Sequence, residues 1–240
     1  MQYPKGTIKE FTFHSSALQE NMQLLIYLPA NYSPLNKYSL LIAQDGKDYF
    51  QLGRIGRLAD ELLYKKEIEN IIIVGVPYKN VQDRRQKYHP DGDQNHQYIR
   101  FLAHELTPFL DKEYPTYQMG SGRALIGSSL GATVSLMTAL QYPNSFGKLL
   151  LQSPFVDEQV LNMVEDFTEG QPLDIYHVVG TQETEVHTTD GKVKDFLSPN
   201  KLLAKKIETK PITYFYEEFN GTHTWTYWQP DLKRALKMLF

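Results

Sequence analysis

The chain has 240 residues, enough to bury most of its unfolded surface in one core, and its lack of cysteine excludes thiol catalysis, thiolate metal sites and disulfides. Its 25 lysine and arginine residues nearly balance 28 aspartate and glutamate residues, and the net charge of −3 argues against nucleic acid or a membrane surface as partner. The first residues show no basic stretch followed by an apolar one, and no apolar run has the roughly eighteen residues of a membrane span, so a cytoplasmic protein is expected.

The N-terminal third of the chain predicts strands of two kinds. Apolar residues alternate in 6–18 and again in 22–28, which predicts two antiparallel strands. The continuous apolar runs 39–43 and 71–77 predict strands buried on both faces. Between these runs, leucine and isoleucine recur at helical spacing in 52–63, so a helix is expected to connect the two buried strands.

Helices and strands alternate through the remaining sequence. Strands are predicted at 123–127, 148–152, 173–179 and 212–219, and helices at 99–110, 132–142, 158–167, 199–207 and 231–240. Such alternation predicts parallel strand pairing with helices on both faces. The expected fold is a single α/β domain over 1–240, with a doubly wound, mostly parallel sheet and an antiparallel N-terminal start. The polar stretch 79–97 lacks a clear period and is predicted to be an irregular flap.

One pentapeptide carries a chemical signature. Gly127-Ser128-Ser129-Leu130-Gly131 matches G-x-S-x-G and lies between a predicted strand and a predicted helix, as a nucleophile elbow requires. Glycine is needed on both sides because a Cβ at either position would clash with neighbouring backbone in so tight a turn. Ser129 is therefore the candidate nucleophile. Ser128 is set aside because the glycines do not bracket it symmetrically.

A serine nucleophile needs a base, normally histidine, and in a nucleophile-elbow fold that histidine follows the serine in the chain. Three histidines meet this condition. His177 lies inside a predicted strand and is expected to be structural, whereas His187 lies in a polar loop and is expected to be solvated. His223 follows the last predicted strand at its carboxyl end, which makes it the candidate base.

The acid that orients the histidine is expected on the loop after the strand 173–179. Glu183 is the first carboxylate on that loop and is favoured over Glu185 and Asp190. A serine–histidine pair without an acid is the alternative.

Two backbone N–H groups are expected to form an oxyanion hole. Leu130, the residue after the nucleophile, supplies the first. The second is expected from the loop 44–48, where Gly46 allows close approach of the backbone. The Lys47 amide is the candidate.

These residues resemble the esterase family of α/β-hydrolases that includes esterase D, the feruloyl esterases and the enterochelin esterases. The resemblance extends over nearly the whole chain and is carried by 41–46, 100–109, 126–131, 142–147, 152–155 and Gly221-Thr222-His223-Thr224-Trp225. It implies an α/β-hydrolase fold, and Ser129 and His223 as nucleophile and base. Members of the family differ in the acid of the triad, so the resemblance gives weaker support to Glu183. Asp45-Gly46 stands where many hydrolases have His-Gly, so the resemblance also gives weaker support to the second oxyanion donor.

The flap carries candidates for substrate binding. Arg84 and Arg85 stand there with Tyr88 close by. The planar guanidinium of Arg85, with its five donors, would suit a carboxylate or a catechol. The alternative is a salt bridge that holds the flap to Asp91 or Asp93.

Tryptophans near the candidate base are a second group of binding candidates. Trp225, together with Trp228, is expected either to wall an aromatic acyl pocket or to pack the last loop onto the core. The segment 89–96 contains histidines and aspartates, but it lacks the glycine and glutamate spacing of an EF-hand, so no metal site is predicted.

The sequence therefore predicts a serine carboxylic-ester hydrolase that forms an acyl-enzyme with a small-molecule polar or aromatic ester, a siderophore-type ester among them. No cofactor, nucleic acid or membrane partner is expected. Two alternatives stay open: an acyltransferase that uses an alcohol acceptor, and a catalytically silent binding protein with the same fold.

Overall fold

The computed structural model describes residues 3–168 and 172–240, which are organised around one large sheet. Its strands are β1 (Thr7–Ser15), β2 (Glu20–Leu28), β3 (Ser39–Gln44), β4 (Ile71–Val76), β5 (Arg123–Ser128), β6 (Lys148–Gln152), β7 (Asp174–Gly180) and β10 (Thr213–Phe219). A separate hairpin pairs β8 (Val186–His187) with β9 (Val193–Lys194). The α-helices are α1 (Gly46–Gln51), α2 (Ile55–Tyr64), α3 (Val81–Tyr88), α4 (Asn95–Arg100), α5 (Thr107–Glu113), α6 (Leu130–Gln141), α7 (Glu158–Asp166), α8 (Leu197–Ile207) and α9 (Trp225–Leu239), with a π-helical turn (Phe101–Leu106) between α4 and α5 and a 3₁₀ turn (Gly120–Gly122) before β5.

The strand order of the sheet is β1-β2-β4-β3-β5-β6-β7-β10. β2 pairs antiparallel with both β1 and β4, and every neighbouring pair from β4 to β10 is parallel. The predicted α/β fold, with a mostly parallel sheet and an antiparallel start, is thereby confirmed. Because β3 and β5 are parallel neighbours, Gln44 and Ser128 end their strands at the same edge, and the loops that follow them meet there.

Strand burial explains the sequence patterns. Every residue of β3, β4 and β5 is buried, as continuous apolar runs covered by helices on both faces require. In β2, by contrast, Met22 and Leu24 are buried while Asn21 and Gln23 are exposed, so the first half of that strand alternates.

Two apolar layers hold the helices on the sheet. One packs α4, α6, α7 and α8 against one face, and the other packs α1, α2 and α9 against the opposite face. Each fully buried leucine, isoleucine or valine side chain contributes about 1.5–3 kcal/mol by leaving water. No helix in the described part of the chain is long and apolar enough to cross a membrane.

The stretch 79–97 is largely helical, so the prediction of an irregular flap is wrong. It contains α3 and the first residues of α4. The Asn80 side chain caps α3 by accepting a hydrogen bond from the Asp83 N–H at 2.9 Å, and the buried Lys87 ammonium pairs with Asp83 Oδ1 at 2.6 Å. Capping and ion pairing stabilise this helix in place of an apolar stripe, which is why hydrophobic periodicity gave no sign of it.

The C-terminal part of the chain also differs from the prediction. Helix α9 begins at Trp225, well before the predicted start at 231, and Pro230 lies inside it. Trp228, in the first turns of α9, is buried, so tertiary packing supports a helix that includes Pro230. The hairpin β8–β9 went unpredicted because its strands are too short to show a period.

Candidate active site

Ser129 occupies a strained turn between β5 and α6. Its backbone has φ 54° and ψ −127°, in a region that residues with a Cβ rarely adopt. A Cβ on Gly127 would lie 2.1 Å from the Gly131 carbonyl carbon, and one on Gly131 would lie 2.9 Å from Asp45 Oδ2. Neighbouring backbone therefore excludes a side chain at position 127, whereas at position 131 the obstacle is the Asp45 side chain. The partly exposed Ser129 stands at the N-terminus of α6.

His223 and Glu183 are hydrogen-bonded although they are far apart in the chain. His223 Nδ1 lies 2.6 Å from Glu183 Oε2, and the Glu183 side chain is completely buried. When Nδ1 carries the proton and donates it to this carboxylate, Nε2 of the neutral ring is left as an acceptor. A general base in a serine triad uses that nitrogen.

The second oxygen of Glu183 is held by two other donors. The Gly180 N–H donates to Oε1 at 2.8 Å, and the Ser153 hydroxyl donates to it at 2.7 Å. Ser153 in turn accepts a hydrogen bond from Trp228 Nε1 at 3.1 Å. The carboxylate is thus fixed on both oxygens, with one of them available for His223. Sequence reasoning missed Ser153, whose only local signal is its place directly after β6.

Ser129 and His223 line the same pocket, which has a volume of about 270 Å³. Leu130, the source of the first predicted oxyanion donor, lines it as well, and the Trp225 ring forms part of its wall. Trp225 meets Tyr49 edge to face, with ring centroids 4.8 Å apart. Ser129, Leu130 and His223 therefore line one pocket together with Trp225, which also packs on the core.

The predicted second oxyanion donor lies beside this pocket. The Lys47 amide is in the first turn of α1 and its side chain is exposed, while its neighbours Asp45 and Asp48 line the pocket. Asp45 has a left-handed backbone with φ 53°, which turns the chain sharply into α1.

The arginines of α3 take different positions. Arg84 forms a bidentate pair with Asp45, with Nε to Oδ1 and Nη2 to Oδ2 both at 2.7 Å, so it is not bound to Asp91 or Asp93. Arg85 lines the pocket and lies 3.4 Å from Asp190.

Tyr88 does not line the pocket, contrary to its prediction as a substrate-binding residue. Only 1% of it is exposed, and its hydroxyl accepts a hydrogen bond from the Asp45 N–H at 3.2 Å. Tyr88 lies on the face of α3 that packs against the core. Its burial could not be predicted because α3 itself was not predicted. Burial raises the pKa of the Tyr88 hydroxyl above its usual value.

Within the described residues, none of the remaining candidates for base and acid forms a side-chain hydrogen bond with His223 or Glu183. His177 is buried, with Nδ1 2.7 Å from the Tyr214 hydroxyl and Nε2 2.7 Å from Asn200 Oδ1. His187 is exposed but lines the pocket from β8. Glu185 is exposed at the base of the hairpin. In residues 3–168 and 172–240, no three histidine or acidic side chains are grouped to hold a metal ion.

Comparison with known proteins places the chain among esterases. A family model described as "Putative esterase" matches residues 15–239. The uncharacterized protein YjcH of Bacillus subtilis (strain 168) is 58% identical over 234 residues, which are 98% of this chain and 98% of that protein.

Two solved structures share the fold. The enterobactin esterase of Shigella flexneri superimposes with a TM-score of 0.83 at 19% identity, covering 99% of this chain and 60% of that one. A ferulic acid esterase superimposes with a TM-score of 0.77 at 16% identity, covering 99% and 98% of the two chains. The present chain spans about 60% of the length of the enterobactin esterase. At these identities the similarity concerns the fold.

Proposed function

Because the chain belongs to the esterase family of α/β-hydrolases, we propose that it hydrolyses a small carboxylic ester through an acyl-enzyme on Ser129. One observation carries the proposal. Ser129 and His223 line the same pocket, and His223 Nδ1 is held 2.6 Å from the buried carboxylate of Glu183.

The first half of the proposed reaction acylates the enzyme. His223 Nε2 takes the proton of Ser129 Oγ as that oxygen bonds to the acyl carbon. The N–H groups of Leu130 and Lys47 stabilise the oxyanion of the tetrahedral intermediate. When the bond between the acyl carbon and the alcohol oxygen breaks, His223 gives its proton to the leaving alcohol.

The second half releases the acid. His223 takes a proton from water while the water oxygen bonds to the acyl carbon, and collapse of this second intermediate returns the proton to Ser129 Oγ. Glu183 keeps the imidazole in the required tautomer and stabilises its charged form, without accepting the proton itself.

A small polar or aromatic ester fits the proposal, and siderophore-type esters belong to this class. The pocket of about 270 Å³ has aromatic wall residues in Phe155 and Trp225 and polar ones in Arg85 and Thr188. The name of one neighbour, ferulic acid esterase, supports an aromatic acyl group. A cytoplasmic location is part of the proposal and is checked by cell fractionation.

The proposal is tested with p-nitrophenyl acetate and a fluorophosphonate probe. We expect a burst of p-nitrophenol, followed by turnover, and covalent labelling of a peptide that contains Ser129. Ser129→Ala should abolish burst, turnover and labelling, whereas the neighbouring-hydroxyl control Ser128→Ala should still be labelled. Labelling that persists in Ser129→Ala would contradict the assignment.

Two further outcomes separate the alternatives. A folded protein that neither turns over esters nor reacts with the probe would support the binding-protein alternative. If added glycerol is converted to its acyl ester faster than the free acid appears, acyl transfer is the main reaction. Product analysis by mass spectrometry distinguishes the acid from the ester.

A further inference from the structure

Two cationic side chains line the candidate pocket from different elements. Arg85 extends from α3, and Lys194 extends from β9 of the hairpin that follows Glu183. Burial lowers the pKa of His89, which also lines the pocket, and the charges of Arg85 and Lys194 lower it further. The charges of Asp91 and Asp157 oppose this lowering of the His89 pKa.

Lys194 lies beside an aromatic ring. Its Nζ is 4.3 Å from the centroid of the Phe155 ring, a cation–π contact. Within residues 3–168 and 172–240 it forms no ion pair, unlike Lys201 on the neighbouring helix, which pairs with Glu218 at 3.1 Å. An ammonium group in this position keeps most of its attraction for an anion that enters the pocket.

Arg85 is held loosely. Its Nη1 is 3.4 Å from Asp190 Oδ2, longer than the roughly 2.7–2.9 Å of a charge-assisted hydrogen bond, and 42% of its side chain is exposed. The other oxygen of Asp190 accepts a hydrogen bond from the Thr188 hydroxyl at 2.5 Å, which fixes the aspartate within the hairpin. A carboxylate can therefore form a bidentate pair with Arg85 without first breaking a short hydrogen bond.

Other charged residues line the pocket, and two of them form an ion pair. Arg84 and Asp45 neutralise each other through two hydrogen bonds of 2.7 Å. Burial and the charge of Asp45 raise the pKa of Asp48, a third residue of this group in the pocket lining.

We propose that the ester substrate carries a carboxylate and that Arg85 and Lys194 bind it. This inference rests on the proposed ester hydrolysis and adds the charge of the substrate. The Phe155 ring, in contact with Lys194 and 5.0 Å from the His89 ring, supplies an apolar surface for the part of the substrate that joins the carboxylate to the ester. The carboxylate belongs either to the acyl part or to the alcohol part of the ester. The experiment below distinguishes these two possibilities.

The test compares charged and neutral esters of matched size. For the acyl part, mono-p-nitrophenyl glutarate is compared with p-nitrophenyl pentanoate, and for the alcohol part, 3-acetoxybenzoate is compared with its methyl ester. We expect kcat/KM for the carboxylate form to exceed that for the neutral form by about tenfold in one of the two arms. The excess should shrink as NaCl is added, because salt screens partly exposed charges.

Variants connect this preference to the two residues. Arg85→Gln and Lys194→Gln should each lower the ratio of charged to neutral kcat/KM by about fivefold. Lys192→Gln is the matched control, since Lys192 is an exposed lysine of the same hairpin that does not line the pocket, and it should keep the wild-type ratio. Circular dichroism checks that each variant is folded.

The outcomes separate this inference from the proposed function. Turnover of neutral and charged esters at equal kcat/KM in both arms would overturn the anionic site and leave ester hydrolysis standing. A preference that survives in both Arg85→Gln and Lys194→Gln would overturn the assignment to these residues. Absence of turnover for every ester, together with no fluorophosphonate labelling, would overturn the proposed function itself.

Discussion

The hydroxyl of Ser153 donates a hydrogen bond of 2.7 Å to Glu183 Oε1, the carboxylate oxygen that does not contact His223. Ser153 is fully buried and has a left-handed backbone with φ 49°. A residue with a Cβ in this conformation costs about 1–3 kcal/mol. The hydrogen bond to Glu183 explains why a strained serine lies directly beneath the candidate triad. Ser153 is a residue that positions Glu183.

Ser153→Gly and Ser153→Ala both remove this hydroxyl, and we expect both to lower kcat by roughly tenfold, with little change in KM, because a hydrogen bond to a charged group is worth about 1.5–3 kcal/mol. Their stabilities should differ, since glycine accepts the positive φ and alanine does not. Steady-state kinetics and thermal melting measure the two effects. Activity that follows melting temperature instead of the hydroxyl would show that Ser153 has only a structural role.

Glu183→Gln should lower kcat by about 10³–10⁴, because an amide cannot hold the histidine tautomer as a carboxylate does. Glu185→Gln is the matched control, two residues along the same loop and exposed, and should retain activity near that of the wild type. Steady-state kinetics with p-nitrophenyl acetate measure kcat for both variants. A larger loss in Glu185→Gln, or equal activity in both, would remove Glu183 from the catalytic set.

Arg84→Gln should destabilise the fold by about 3–5 kcal/mol, since it leaves the buried Asp45 carboxylate without its bidentate partner. Arg84 also donates to the Ser128 carbonyl at 3.3 Å, so the same ion pair connects the loop before α1 to the nucleophile turn. We therefore expect kcat to fall as well. Urea unfolding measures the stability change.

The double variant Asp45→Asn/Arg84→Gln provides the control for this pair. It removes both charges and should recover part of the free energy of unfolding that Arg84→Gln loses. A double variant that is less stable than either single variant would show that the two residues act separately.

Stability should fall below about pH 6.5 because of His177. Burial lowers its pKa from 6.5 to about 4. The unfolded chain therefore takes up this proton at a higher pH than the folded chain. The neutral His177 ring makes its full contribution to the free energy of unfolding above pH 6.5. As the pH falls toward 4, the free energy of unfolding decreases by up to about 1.4 kcal/mol per pH unit.

Urea unfolding of the wild type and His177→Gln between pH 7 and pH 4.5 checks this dependence. The variant should be less stable at pH 7, because it changes the hydrogen bonds to Tyr214 and Asn200, and should lose less stability on acidification. The exposed histidine variant His96→Gln serves as the control. Equal slopes for His177→Gln and the wild type would assign the acid sensitivity to other groups.

The strands and loops that the sequence predicted are those whose signal lies in a few consecutive residues. Continuous apolar runs predicted β3 and β4, since a strand buried on both faces must be apolar throughout. The glycines on both sides of Ser129 mark a turn whose tightness depends on five consecutive residues. His223 could be placed because the last strand ends immediately before its loop.

The sequence by itself thus determined the parallel sheet, the strand-to-helix turn at Ser129 and the loop of His223, each of which depends on neighbours in the chain. Tertiary structure alone decided that Tyr88 is buried, that Arg84 pairs with Asp45, and that Ser153 reaches Glu183. Each of these contacts joins residues that are thirty or more positions apart. Such contacts depend on how helices and loops pack on the sheet, and hydrophobic periodicity carries no information about which polar groups packing brings together.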